Sequence, residues 1–222
     1  MTGLAVETVF LDLDGTLCAY RRDRGSLLSA AFDRLDVDPL FTVDEYRDRL
    51  FAQVVTDETL AERREAAFRD LAAERADDPA LGRRLASVYG SLRDHGDVRP
   101  LSGALEAVES LADRYDLALV TNGGPETEDP KLSTLGLTDA FDAVVYGGYD
   151  AAPKPEPGPF HEALYRLDAA PARTVHVGDS RRLDAWGADA AGIRVALVGA
   201  DGDTDVDYSL SSLGELAVPP WE

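Results

Sequence analysis

The sequence predicts an α/β protein, a doubly wound, Rossmann-like parallel sheet core with an inserted domain of the four-helix type. Three observations carry that prediction. Five short apolar runs read as strands buried on both faces, helical patterns separate the last four of them, and the long stretch after the first run has helical patterning and no convincing strand.

The first strand is Thr8–Leu11, a continuous apolar run of the kind found where helices cover both faces of a sheet. From about Leu17 to Asp97 the rhythm changes, and apolar residues recur at helical spacing over Leu27–Leu35, Val43–Val55, Glu58–Glu74 and Pro79–Arg93. Four such helices suffice for a small bundle. The chain is expected to return through His95-Gly96-Asp97-Val98-Arg99-Pro100, where Gly and Pro mark a hinge. The expected division is therefore a core of residues 1–16 and 98–222 with a helical cap of residues 17–97 over the C-terminal edge of the sheet.

Beyond the hinge, Leu101-Ser102-Gly103 precedes a helix over Ala104–Arg114, and Leu117–Thr121 is the second strand. Pro130–Leu135 reads as a helix closed by Gly136, and Ala143–Tyr146 as the third strand. Pro159–Leu167 begins after Gly158, Thr174–Val177 is the fourth strand, Asp184–Ala191 ends at Gly192, and Val195–Val198 is the fifth strand.

Composition narrows the partners. The formal net charge is −20, from 42 Asp and Glu against 22 Lys and Arg, and the only two lysines are Lys131 and Lys154. Nucleic acid and anionic membranes are unfavourable partners for such a chain. The acidic residues are interleaved with apolar ones along the whole length, which resembles proteins of salt-loaded cytoplasm and predicts a halophilic source. No stretch approaches the roughly 20 apolar residues of a membrane span, and a cytoplasmic location is expected. Cys18 is the single cysteine and reads as a small packing residue.

Four clusters stand at four strand ends. Asp12-Leu13-Asp14-Gly15-Thr16 follows the first strand directly, where two carboxylates and a turning Gly-Thr backbone suit phosphate chemistry. Thr121-Asn122-Gly123 ends the second strand and offers a hydroxyl that can bond a phosphoryl oxygen without adding charge. Pro153-Lys154-Pro155 brings a lysine on a stiffened loop, an ammonium able to offset a phosphoryl group and a carboxylate together. Gly178-Asp179-Ser180, with Asp184 five positions after Asp179, adds the carboxylates that a hard divalent cation such as Mg²⁺ requires.

These four ordered motifs resemble those of the haloacid dehalogenase-like hydrolase superfamily, over essentially the whole chain. Lys131-Leu132, Leu135-Gly136-Leu137, Gly187-Ala188 and Ala191-Gly192 also resemble it, and the inserted helices resemble the family's helical cap. The resemblance implies that Asp12 is a nucleophile forming an aspartyl-phosphate and that Asp14 is the acid and base. Asp14 would protonate the leaving group and then deprotonate water, which requires its proton affinity to rise near phosphate. By the same resemblance Thr121, Asn122 and Lys154 bind the phosphoryl group. Asp12, the Asp14 backbone carbonyl and Asp179 would hold Mg²⁺, with Ser180 and Asp184 in support. The expected function is Mg²⁺-dependent hydrolysis of a small phosphomonoester.

Three alternatives stay open. A 2-haloacid dehalogenase of this superfamily needs neither Mg²⁺ nor an acid at the position of Asp14. A phosphomutase keeps the same residues and changes only the acceptor, and a non-catalytic binding module would be expected to have lost a cluster. Arg21, Arg22, Arg24, Arg181 and Arg182 lie near the motif edges and are candidate anion contacts or surface residues, and Tyr46, Arg64 and Phe68 are candidate leaving-group contacts or packing. Residues 201–207 begin like a calcium loop but carry Val206 where the sharp-turn Gly belongs, so they read as a solvated acidic loop. The glycine spacings give no dinucleotide fingerprint.

Overall fold

A computed structural model describes residues 4–52, 60–199 and 205–222. It divides into two compact units, Met1–Arg21 with His95–Glu222, and Arg22–Asp94.

In chain order the first unit contains β1 (Thr8–Leu11) and β2 (Cys18–Tyr20). The second unit contributes α1 (Arg24–Arg34), α2 (Val43–Ala52), α3 (Leu60–Ala76) and α4 (Pro79–Ser91). The chain then returns to the first unit for β3 (Val98–Pro100), α5 (Ala104–Ala112), β4 (Asp116–Thr121), α6 (Pro125–Leu135), β5 (Ala143–Tyr146) and α7 (Gly158–Arg166). The last elements are β6 (Thr174–Gly178), α8 (Trp186–Ala190), β7 (Arg194–Val198) and β8 (Tyr208–Leu210).

Six strands form one parallel sheet in the order β5-β4-β1-β6-β7-β8. β1 lies between β4 and β6, with Thr8 level with Asp116 on one side and Thr174 on the other. The strand order reverses at β1, so the loops after β1, β4 and β6 converge at one edge. Alternate residues of β1 serve different layers, as the two-residue strand period demands. Val9 and Leu11 pack in a core with Ala104, Val108 and Leu111 of α5, while Phe10 packs with Phe160 and Ala163 of α7 and Ala188 of α8.

Three short strands escape the sequence reading. β2 and β3 pair antiparallel, Cys18 opposite Pro100 and Tyr20 opposite Val98, and β8 joins the sheet edge beside β7. Runs of three residues carry no periodicity, and their pairing is fixed by distant partners. With the ribbon in the first unit, the helical unit is Arg22–Asp94, narrower than the expected 17–97. Leu101 N–H donates to Leu17 O at 2.9 Å and Arg21 N–H to Asp97 O at 3.0 Å, which ties residues 17–21 to the first unit. α6 starts at Pro125 and carries Pro130 inside it, earlier than the expected start at Pro130. Before α8 the chain forms a π-helical turn over Arg181–Ala185 in place of regular helix from Asp184.

In the second unit, helix starts are set by local side chains. Asp23 accepts from Ser26 N–H at 2.9 Å and Asp78 from Leu81 N–H at 2.9 Å, and Thr42 and Glu45 form a reciprocal capping box at the start of α2. Residues 53–59, which take in the end of the expected second helix and the start of the third, and residues 201–204 of the acidic loop lie outside the described residues. The core of the unit is aromatic, with Phe32, Phe41, Tyr46, Phe68 and Tyr89 in edge-to-face or tilted contact. Tyr46 and Phe68, candidates for contact with a leaving group, are buried here as packing residues. Arg64 places its guanidinium 5.9 Å from the Tyr89 ring centre.

α3 and α4 pack closely because Gly82 lets α4 approach the α3 backbone; a Cβ there would lie 2.4 Å from Phe68 O. Gly82→Ala is expected to destabilise this unit by about 2 kcal/mol through overpacking. Urea unfolding monitored by far-ultraviolet circular dichroism checks this, and an unchanged midpoint would refute the close approach. Among the described residues, no helix is long and apolar enough to cross a membrane.

Candidate active site

The four motifs arrive at one sheet edge because each ends a parallel strand, follows it directly or lies on the loop after it. Asp12 comes directly after β1, Thr121 ends β4, Lys154 lies on the loop after β5 and Asp179 follows β6. Gly15 has φ +93°, a conformation that favours glycine, and a Cβ there would lie 2.5 Å from the Asp179 carboxylate. Gly178 clears space in the same way for the Asp184 carboxylate, 2.3 Å from the position its Cβ would take.

Lys154 is the hub. Its Nζ donates to Asp12 Oδ1 at 2.6 Å, Asp184 Oδ1 at 2.7 Å and Val120 O at 2.8 Å, so all three ammonium hydrogens have acceptors in a buried setting. Asp184 also meets His176 Nε2 at 2.9 Å and accepts from Ser180 N–H at 3.0 Å. The Thr16 hydroxyl lies 3.2 Å from Asp12 Oδ2 and 3.3 Å from Asp179 Oδ1, bridging the first and fourth motifs.

A second lysine forms a second centre. Lys131 Nζ donates to Asp14 Oδ2 at 2.5 Å and to Glu128 Oε1 at 2.9 Å. Thr121 Oγ1 in turn donates to Glu128 Oε2 at 3.1 Å. Both lysines of an arginine-rich chain are thus buried at one strand edge.

One expectation needs correction. Asn122 was expected to bind phosphate, but its side chain brackets Lys154, donating to Lys154 O at 2.8 Å and accepting from Lys154 N–H at 2.7 Å. The planar amide matches a backbone N–H and C=O pair, so its work is to fix the lysine. Thr121 directs its hydrogen to Glu128 in this structure, and donation to a phosphoryl oxygen requires its hydroxyl to turn. Ser180 accepts from Leu183 N–H at 3.2 Å and shapes the turn that presents Asp184.

The arginines near the motifs are exposed, and Arg21 is occupied with Asp97 at 3.8 Å and Val98 O at 3.0 Å. Cys18 is buried against the same edge. Burial first, then the neighbouring Asp14, pushes its thiol up to about 12, which removes it as a nucleophile. Glu128 and His176 are members of the site that motif reading missed, and Thr16, read in the first motif for its backbone alone, also brings its hydroxyl. Glu128 stands one helical turn before Lys131 on α6, and that spacing was its one signal in the sequence.

Asp12, Asp179 and Asp184 bring one ligand oxygen each within 4.8 Å of one another. Asp14 is not in that carboxylate cluster, since its side chain turns to Lys131. Its charge imbalance explains the electrostatics. Burial raises the Asp12 carboxyl to about 7, against the pull of Lys154 and with the push of Asp184. Burial likewise raises Asp179. For Asp184, burial is outweighed by Lys154 and His176, which hold it below the ordinary carboxylate range. Burial keeps His176 low and therefore neutral, while Asp12 and Asp184 overcome burial to hold Lys154 charged. Three carboxylates around one ammonium fit a hard divalent cation, whose charge would relieve the surplus.

The chain matches the family model described as haloacid dehalogenase-like hydrolase over residues 6–192. It is 34% identical over 135 residues to a phosphoserine phosphatase of Thermus thermophilus, covering 61% of this chain and 54% of that protein, so it spans about half of that relative's length. It is 31% identical over 201 residues to a phosphoglycolate phosphatase of Nitrosospira multiformis, covering 88% of this chain and 84% of that one. The fold superimposes with a TM-score of 0.73 and 22% identity on the hydrolase YfnB of Bacillus subtilis, whose structure was determined bound to magnesium, covering 96% and 97% of the two chains.

Proposed function

We propose, since the chain belongs to the haloacid dehalogenase-like hydrolase family, that it is a Mg²⁺-dependent phosphatase acting on a small phosphomonoester. The observation that supports this most is the paired arrangement of Asp12 on Lys154 and Asp14 on Lys131 at one sheet edge. A dehalogenase has no use for the second carboxylate, whereas ester hydrolysis needs an acid for an alkoxide leaving group.

The residues divide the work as follows. Asp12 attacks phosphorus, forming an aspartyl oxygen–phosphorus bond as the ester oxygen–phosphorus bond breaks. Asp14 gives its proton to the departing alkoxide, then takes one from the water that attacks phosphorus and releases phosphate and the Asp12 carboxylate. Lys154 orients Asp12 and offsets phosphoryl charge, and Thr121 donates its hydroxyl hydrogen to a phosphoryl oxygen. Asp12, Asp179 and the Asp14 backbone carbonyl would hold Mg²⁺, with Asp184 beside them. When bound, the cation supplies the positive charge that lets a phosphate dianion approach these carboxylates.

A cap role for the inserted helices, an acidic surface suited to a salt-rich cytoplasm, and a small metabolite as substrate belong to the same proposal. The relatives that act on phosphoserine and phosphoglycolate support a small substrate. The test is phosphate release from a panel of small phosphomonoesters in high salt. Release with Mg²⁺ that falls at least about 100-fold in EDTA and returns on adding Mg²⁺ is the expected result. Equal release in EDTA would sink the metal assignment, and halide release from 2-haloacids without phosphate release would sink the phosphatase.

A further inference from the structure

The Lys131 centre has no part in the roles assigned above beyond touching Asp14, yet its construction is specific. Lys131 is buried on α6, and its ammonium is held at two points, Glu128 Oε1 at 2.9 Å and Asp14 Oδ2 at 2.5 Å. Glu128 is itself fixed. Its Oε2 accepts from Thr121 and its Oε1 accepts from Thr127 Oγ1 at 2.8 Å. The ammonium also lies 5.1 Å from the centre of the Tyr20 ring, whose face favours a cation.

A buried lysine and glutamate form a poor stabilising device, because removing two charges from water offsets most of their attraction. This pair also faces an unusual neighbour. The Asp14 side chain is 40% exposed, whereas Lys131 and Glu128 are 1% and 3% exposed. Asp14 stands just before the turn that Gly15 takes at positive φ, and the side-chain donor its own loop offers its carboxylate is the weak Cys18 thiol. A proton donor acts only from hydrogen-bond reach and in a fixed orientation. Lys131 occupies Oδ2 and leaves Oδ1 to the weak Cys18 thiol donor at 3.8 Å. One oxygen is clamped and the other is presented.

We propose that Lys131, anchored by Glu128, is the positioning residue that orients the Asp14 carboxylate so that its Oδ1 exchanges the proton with the leaving group. This rests on the phosphatase reading. The clamp ties α6 and the second motif to the first, since Thr121 and Asp14 both end on the Glu128–Lys131 pair. It predicts an effect confined to proton donation, unlike general loosening of the site.

Leaving groups separate the two. Phenyl phosphate needs a proton on its departing oxygen far more than p-nitrophenyl phosphate does. Lys131→Met is expected to lower kcat/KM for phenyl phosphate about 100-fold while lowering that for p-nitrophenyl phosphate less than about 5-fold, as loss of acid assistance requires. KM should change little, and Lys131→Arg should recover most of the rate. In an Asp14→Asn background the Lys131 substitution should add nothing further.

Equal losses on the two esters, or losses that add to those of Asp14→Asn, would overturn the assignment. Lys131→Met leaves Glu128 buried without its cation, so the double variant Glu128→Gln with Lys131→Met carries the same test in a chain free of that charge. If the folded parent, supplied with Mg²⁺, releases phosphate from neither ester or any other monoester, the phosphatase reading itself has failed and takes this inference with it. A parent active on both esters with no leaving-group difference in the variants leaves the phosphatase standing and removes only the clamp.

Discussion

Asp12→Asn is expected to lower phosphate release at least about 10⁴-fold while leaving the fold intact. The carboxamide oxygen still accepts from Lys154, so the packing around the site survives, but it cannot form the aspartyl-phosphate. Single-turnover phosphate release measures the loss, and turnover within tenfold of the parent would exclude Asp12 as nucleophile.

The same variant gives a stability test. Burial lifts Asp12 from 3.8 to about 7 in the folded chain without metal. Between those values the folded state binds more protons than the unfolded state, so this group's contribution to stability declines as pH rises from about 4 to about 7. Asn carries no such burden. In EDTA the variant should therefore melt above the parent at about pH 8, and the gap should close towards pH 5. A gap independent of pH would mean that Asp12 ionises without strain in the metal-free site.

The second large effect is expected at Lys154. Lys154→Met removes the one ammonium between the buried carboxylates of Asp12 and Asp184. Breaking a buried pair from one side costs about 3–5 kcal/mol, because the remaining charges stay in a low-dielectric setting. Activity should fall about 10³-fold as well, through loss of charge at the phosphoryl site. Urea unfolding and initial rates check the two consequences. A stability change under about 1 kcal/mol would show that the carboxylates find water or each other's protons without the lysine.

Much of the architecture is legible from Thr8–Leu11, Leu117–Thr121 and Thr174–Val177, because strands covered on both faces leave uninterrupted apolar runs that need no partner to be recognised. The runs also fix which residues stand at the sheet's C-terminal edge, and so bring Asp12, Thr121, Lys154 and Asp179 into one reading. β2, β3 and β8 were not legible, since three-residue strands exist only by pairing with residues remote in sequence. Tyr46 and Phe68 show a similar limit: periodicity places an aromatic residue on a helix, and only packing decides whether it faces a core.

What the sequence alone determined is the order of the elements and the chemical types at each strand end, because both are properties of local patterning. Tertiary structure decided which groups share hydrogens: that Asn122 holds Lys154, that Thr121 turns to Glu128 and that Lys131 claims Asp14. Those choices depend on distances of a few ångströms between residues tens of positions apart. They follow from the requirement that every buried charge and amide find a partner, which only the folded chain can satisfy.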